Sequence, residues 1–310
     1  MTEKPFWINQ FLIKEGDLMQ EGRIVKALSG FYYVETEDQL YTCKSRGVFR
    51  NKKISPLVGD FVELDVTASD EGYITHVKPR KNELVRPPVA NVTQGMIVSS
   101  VVQPNFSSFL TDRFITLLEY KQMKPVLLIT KIDLANESEL KKIKDITAYY
   151  EAIGYSVFLM QPKREAISII RNKLDSEVTV LAGQSGAGKS TLLNHLAPSL
   201  NLQTKEISTS LGRGKHTTRH VELFSVAKGL VADTPGFSSL EFPDLKPEEL
   251  SSCFIEFETY KQQCKFRGCL HYKEPNCKVK DAVDKELIAE FRYKNYITFL
   301  EEILNRKPRY

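Results

Sequence analysis

Gly183-Gln184-Ser185-Gly186-Ala187-Gly188-Lys189-Ser190 matches the pattern Gly-x4-Gly-Lys-Ser. Glycines in such a run let the backbone curl until successive N–H groups face one point, and that concavity takes phosphate oxygens. A helix starting near Lys189 adds the positive end of its dipole. Lys189 then reaches the β- and γ-phosphates, the Ser190 hydroxyl is set to ligate Mg²⁺, and Thr191 continues the phosphate-binding stretch. A plain Gly-rich turn between strand and helix has no need of the Lys-Ser pair, so nucleotide binding is the expected chemistry.

Two further boxes select the nucleotide. Thr130-Lys131-Ile132-Asp133 lies upstream. A carboxylate at Asp133 only accepts, so it suits the N1–H and 2-amino donors of guanine, a pair that adenine lacks. Thr130 stands where the usual box has Asn, and the lost amide is expected to weaken the match. Asp233-Thr234-Pro235-Gly236 lies downstream. Asp233 is expected near Mg²⁺ through water, with the Gly236 N–H on the γ-phosphate. The expected ligands are therefore GTP or GDP with Mg²⁺. Phe237 follows where many GTPases carry a Gln that orients the attacking water. Either hydrolysis is slow unaided, or another group supplies that contact, or the site merely clamps nucleotide.

Between these boxes runs Leu211-Gly212-Arg213-Gly214-Lys215-His216-Thr217-Thr218-Arg219-His220. Thr217 and Thr218 can each close over Mg²⁺ and the γ-phosphate, and spacing does not choose between them; Ser190 with Thr218 makes one such magnesium pair. His216 is the nearby ionisable group suited to contact the attacking water. The plainer reading of His216 is an exposed loop residue or an RNA contact.

Cys264-x4-Cys269-x-His271-x5-Cys277 gathers three thiols and an imidazole, the donor set of a closed, structural Zn²⁺ site. Such a site would nucleate a segment whose own apolar core looks small. Lys261, Lys265, Arg267, Lys273, Lys278 and Lys280 surround it, a surface that nucleic acid fits as well as plain solvent does. Cys43 and Cys253 are isolated. Five cysteines, an odd number, argue against a disulfide framework.

The elements that must hold these residues follow from pattern. Five short β runs between Gly22 and Val77, punctuated by Gly and Asp, suit a small barrel of the OB type. Lys44, Arg46, Arg50, Lys52 and Lys53 cluster beside its third run, where such barrels often meet nucleic acid. Lys78 to Pro88 reads as a Pro-rich basic linker. Apolar runs at 96–102, 125–129, 178–182 and 229–232 then alternate with helical spacing at 106–121 and 137–153, a mostly parallel α/β sheet. Every box falls at the C-terminal end of one of these strands, where such sheets bind ligands. Asp281 to Leu304 reads as one long helical pattern. The expected organisation is multidomain α/β: an N-terminal OB-type β-barrel at 1–84, a central circularly permuted P-loop GTPase sheet at 85–242 and a mostly helical zinc-binding domain at 243–310. A net charge of +4 over 310 residues means that any nucleic-acid binding comes from local patches. No apolar stretch suits a signal peptide or a membrane span, so a cytoplasmic monomer with no membrane partner is expected.

The guanine box precedes the phosphate loop here, whereas ordinary GTPases put it last. That order, with Gly-Arg-Gly-Lys-His-Thr-Thr, Asp-Thr-Pro-Gly-Phe and the Cys-x4-Cys-x-His-x5-Cys spacing, resembles the RsgA (YjeQ) family of ribosome-dependent GTPases over nearly the whole chain, from about residue 20 to 300. The resemblance implies a late factor in assembly of the small ribosomal subunit, contacting the subunit and its rRNA through all three domains. It implies slow GTP hydrolysis accelerated by the subunit, and it favours His216 as the catalytic histidine. One departure is that Val157-Phe158-Leu159 runs into Met160-Gln161-Pro162-Lys163, where the family often shows a Ser-Ala-Lys-like base contact.

Overall fold

The computed structural model describes residues 20–46, 49, 55–160, 164–198, 221–233, 241–242 and 244–306. The chain folds into two compact units of interleaved segments. Met1–Gln94, Pro162–Leu181 and Lys189–Ser238 form the first; Gly95–Gln161, Ala182–Gly188 and Ser239–Tyr310 form the second.

The first unit opens with β1 (Gln20–Leu28), β2 (Phe31–Glu35), β3 (Leu40–Ser45), β4 (Phe61–Val66) and β5 (Glu71–Val77). β1 pairs antiparallel with β2 and with β4, β2 with β3, and β4 with β5, while β3 and β5 run parallel; the ring closes. Alternate side chains point inward, so Ile24, Val34, Cys43, Val62, Leu64 and Ile74 are wholly buried. Ser29 and Gly30 both have positive φ (50° and 85°), which a two-residue hairpin matching the strand twist requires. The expected OB-type barrel is thus present. The expected linker holds structure of its own, a hairpin of β6 (Glu83–Val85) and β7 (Pro88–Ala90). Side chains brace it: Asn82 exchanges two hydrogen bonds with the Val92 backbone (2.8 and 3.0 Å), and Asn91 accepts from the Lys81 N–H at 2.9 Å. Composition showed the Pro and Lys, but not this pairing.

The second unit is built on β8 (Gln94–Ser100), β9 (Lys124–Thr130) and β10 (Ser156–Leu159), in the order β10-β9-β8. β9 and β10 are parallel, with Val126 opposite Ser156. Helices Ser108–Tyr120 and Glu137–Ala152 connect them. The second starts in a capping box, with Asn136 and Glu139 each accepting from the other's backbone N–H at 2.9 Å. The first was expected to bury one face. Instead every residue from Thr111 to Leu118 is buried. Its outer side is covered by the C-terminal segment: Leu117 joins Phe242, Leu245, Leu250, Phe254, Phe257, Tyr296, Phe299, Leu300 and Ile303 in one core. That core is larger than expected, because its aromatics are spread over short turns with no readable period.

The long C-terminal pattern is two helices, Lys278–Asp284 and Glu290–Leu304. Glu286, at φ 57°, ends the first, and the Ala282 carbonyl accepts from Leu287 N at 2.9 Å. On the last helix, Arg292 is fully buried among charges. It donates to Asp112 (2.5 Å) of the Ser108–Tyr120 helix and twice to Glu256 (2.7 and 3.1 Å). Tyr150 and Asn295 also donate to Asp112, at 2.5 and 2.6 Å. Burial pushes the Asp112 carboxyl up, and the Arg292 charge opposes that shift.

The first unit is completed by β11 (Val178–Ala182), β12 (Val221–Val226) and β13 (Gly229–Asp233). β11 lies parallel to β13, and β12 antiparallel to it. β12 also pairs with β1 of the barrel, Lys26 opposite Glu222 and Ala27 opposite Val221, with a Lys26–Glu222 ion pair at 3.1 Å. Helices Arg164–Leu174 and Lys189–Leu196 are linked by Arg171, which donates to the Leu196 carbonyl at 2.6 Å. Among the described residues no helix is long and apolar enough to cross a membrane.

Candidate nucleotide and metal sites

β11 ends at Ala182, the turn 183–188 follows, and the next helix starts on Lys189 and Ser190. The turn's glycines are geometric necessities. Gly183 sits at φ 132°, and a Cβ there would fall 2.0 Å from the Val98 carbonyl oxygen of β8. Gly188 sits at φ 102°, with a Cβ position 3.7 Å from the Thr130 hydroxyl oxygen. Gln184 and Ser185 form the outer part of the turn, and the Ala187 N–H donates to the Gln184 carbonyl at 3.3 Å. Ala187 is wholly buried. Burial lowers the pKa of Lys189 by penalising its charge, a penalty that an anionic phosphate offsets. Thr191 is exposed on the first turn of the helix.

The guanine box meets this loop within the second unit. The Thr130 hydroxyl donates to the Ala187 carbonyl at 2.7 Å. The hydroxyl thus links the guanine box directly to the phosphate loop. Lys131 takes a left-handed conformation (φ 58°) and donates its ammonium to the Gln103 carbonyl. Ile132–Leu134 form a 3-10 turn on which Asp133 is exposed. The turn after β8 had no place in any box. The Ser100 hydroxyl donates to the Pro104 carbonyl at 2.6 Å, and Pro104 lies 3.8 Å from a Cβ position on Gly186. Its signal was available, since it leaves the C-terminal end of a buried strand, as the boxes do.

Asp233 is the last residue of β13 in the first unit. His216, Thr217, Thr218, Gly236 and Phe237 lie outside the described residues, as do Gln161 to Lys163, Arg50, Lys52 and Lys53. Of the barrel cations that are described, Lys44 lies over the Phe31 ring at 5.0 Å and Arg46 pairs with Asp65.

The four metal-ligand candidates converge. One donor atom from each of Cys264, Cys269, His271 and Cys277 lies within 4.8 Å of all the others. Cys264 and Cys277 sulfurs are 3.9 Å apart, and His271 Nδ1 is 3.7 and 3.3 Å from them. A tetrahedral Zn²⁺ needs S–S edges of about 3.8 Å and S–N edges of about 3.6 Å. The donor set therefore fits zinc. Burial pushes the Cys269 thiol up to about 12 and holds the His271 imidazole below its usual value. Thiolates so close together need a cation to ionise. The loop is fastened to the last helix by Tyr293 and Tyr296, which donate to the His271 and Leu270 carbonyls at 2.8 and 2.6 Å. Beyond it Phe266 is 43% exposed between Lys265 and Arg267.

A parallel α/β core that delivers a guanine box before a Gly-rich phosphate loop, joined to an OB-type barrel, defines a circularly permuted P-loop GTPase. The family model described as RsgA GTPase matches residues 77–243, and that described as RsgA N-terminal domain matches residues 21–74. The chain is 58% identical over 293 residues to small ribosomal subunit biogenesis GTPase RsgA 2 of Oceanobacillus iheyensis, across 94% of this chain and all of that one. It is 55% identical over 294 residues to RsgA 1 of Listeria monocytogenes, with the same coverage. Two solved structures are similar: YloQ, a circularly permuted GTPase (TM-score 0.81, 43% identity, 97% of this chain and 100% of that one), and YjeQ from Thermotoga maritima (TM-score 0.83, 37% identity, 94% and 100%). This chain belongs to the RsgA GTPase family, and it is a GTP hydrolase.

Proposed function

We propose that this GTPase binds the small ribosomal subunit and its rRNA, acts late in the subunit's maturation, and hydrolyses GTP faster when bound there. The relatives' names support the subunit, and the barrel and the basic zinc loop supply surfaces suited to RNA. A cytoplasmic monomer suits that role. The observation that carries the nucleotide site is the hydrogen bond from Thr130 to Ala187, which ties the guanine box to the phosphate loop.

In this reading Asp133 accepts from the guanine N1–H and 2-amino groups. The N–H groups of residues 183–191 surround the phosphates, with the Lys189 ammonium on the β,γ side. Ser190 and Thr217 or Thr218 would hold Mg²⁺, with Asp233 near it through water, and the ion would supply positive charge to offset that of the phosphates. Gly236 donates to the γ-phosphate. Water attacks the γ-phosphorus, the bond to the β,γ-bridging oxygen breaks, and GDP and inorganic phosphate leave. Phe237 has no atom that can orient that water, and His216, which the family resemblance favours, takes the role. Cys264, Cys269, His271 and Cys277 hold one Zn²⁺ that fixes the C-terminal segment. The three functional parts are 1–84, 85–242 and 243–310.

GTP turnover by wild type and His216→Ala, each with and without purified small subunits, tests the proposal. Subunits should raise wild-type turnover at least tenfold and the variant's far less. Retained subunit binding with no stimulation would instead favour a nucleotide clamp, the reading that Phe237 leaves open.

A further inference from the structure

Residues 270–272 carry the His271 donor and lie in neither helix nor strand, so their backbone groups need partners from elsewhere. Glu274 supplies two. One carboxylate oxygen accepts from the Leu270 N–H at 2.7 Å, and the other accepts from the Tyr272 N–H at 2.9 Å. The carbonyls have side-chain donors. Tyr296 donates to Leu270 at 2.6 Å, Tyr293 to His271 at 2.8 Å and Lys280 to Tyr272 at 3.4 Å. The peptide that leaves His271 is therefore gripped at both ends, its C=O by Tyr293 and its N–H by Glu274.

His271 itself has φ 55°, a left-handed conformation that a side chain disfavours. That turn brings the N–H groups of its two neighbours to one place, where a single anion bridges them, as in a backbone nest. The buried imidazole keeps Nδ1 at 3.7 and 3.3 Å from the Cys264 and Cys277 sulfurs. Pro275 follows Glu274 and disfavours helical backbone there. With one N–H on each oxygen, Glu274 stands apart from the four donors that converge.

We propose that Glu274 is a positioning residue for the metal site. It holds the left-handed turn at His271, so the imidazole is in its ligating pose before the ion arrives. The inference rests on reading Cys264, Cys269, His271 and Cys277 as one Zn²⁺ site.

A clamp on one ligand and a general brace differ in what they change. Losing a brace weakens metal binding, but the bound ion keeps the same four donors. Losing the clamp frees one donor, and water takes its place. Co²⁺ reports the difference, because its visible bands depend on which atoms surround it.

The experiment measures Zn²⁺ affinity of the full chain by competition with a chelator, and the visible spectrum of the Co²⁺-loaded chain. Wild type, Glu274→Ala and Glu301→Ala are compared. Glu274→Ala should weaken Zn²⁺ about 10- to 100-fold, the range for groups that orient metal ligands. Its cobalt bands should move toward those of three thiolates and a water. Glu301→Ala removes a bond to the Tyr272 ring hydroxyl, not to the backbone, and should leave both readings unchanged. Should Glu274→Ala impair folding, Glu274→Gln keeps the length and one acceptor oxygen, and should give the same band shift in smaller degree. Unchanged affinity, weaker affinity with unchanged cobalt bands, or equal effects at Glu274 and Glu301 would overturn the proposal. Wild-type protein that takes up no Zn²⁺ would instead overturn the metal reading beneath it.

Discussion

Asp133 and Thr130 are three residues apart, yet the geometry gives them separable work. Thr130 spends its proton on the loop, while Asp133 is exposed on a 3-10 turn with its oxygens available. Asp133→Asn adds an amide donor that suits the 2-carbonyl of xanthine and mismatches the guanine 2-amino group. Competition titrations should show GTP affinity falling by at least tenfold and XTP affinity rising. Unchanged preference would remove Asp133 from the base site. Residues of this kind were legible in the sequence because their chemistry dictates type and spacing. A loop that must bring backbone within 2.0 Å of a Cβ position can hold only glycine, so Gly183 announces itself. Arg292 does not. Its partner Asp112 is 180 positions away, and in sequence both look like ordinary charges on solvated helix faces.

The Ser108–Tyr120 helix shows what that hidden pair does. With β8 and β9 in its own unit and the aromatic C-terminal core across it, it has no solvent-facing stripe over 111–118. A one-sided amphipathic pattern was the natural expectation, since a charge such as Asp112 ordinarily marks the wet side. Here the wet side was covered by a partner carrying the opposite charge. Removing that charge leaves Asp112 and Glu256 buried and uncompensated. Arg292→Ala should cost about 3–5 kcal/mol in denaturant unfolding. Lys294→Ala breaks the exposed pair with Glu290 on the same helix and should change little. Similar losses for both variants would show that the cluster is not what joins helix to segment. The strands that pattern missed, β6, β7 and β12, are short or lack a buried β-branched run, and their pairing is set by distant partners. The barrel and parallel strands were readable because period two and apolar runs are local signals.

At the scale of the molecule, the segment carrying the thiol cluster shares its core with the Ser108–Tyr120 helix, so the thiol cluster and that helix are linked within one unit. Zinc removal should therefore be felt beyond the loop. Chelation under mild denaturation should release one Zn²⁺ per chain and lower Tm by several degrees, and Cys277→Ser should lose the metal outright. Full-length protein with no bound metal and an unchanged Tm after chelation would exclude a structural zinc. The order of the guanine and phosphate boxes foretold the architecture, whereas its interleaving into two units could not be read, because it depends on which strand edges find each other.

One of those edges has a mechanical corollary. Val221 and Glu222, the first residues of β12, are clamped to Ala27 and Lys26 of the barrel. The His216-Thr217-Thr218 stretch ends only three positions earlier. The start of β12 is thus riveted to the rim of the barrel, so a tug on that strand is a load on the barrel.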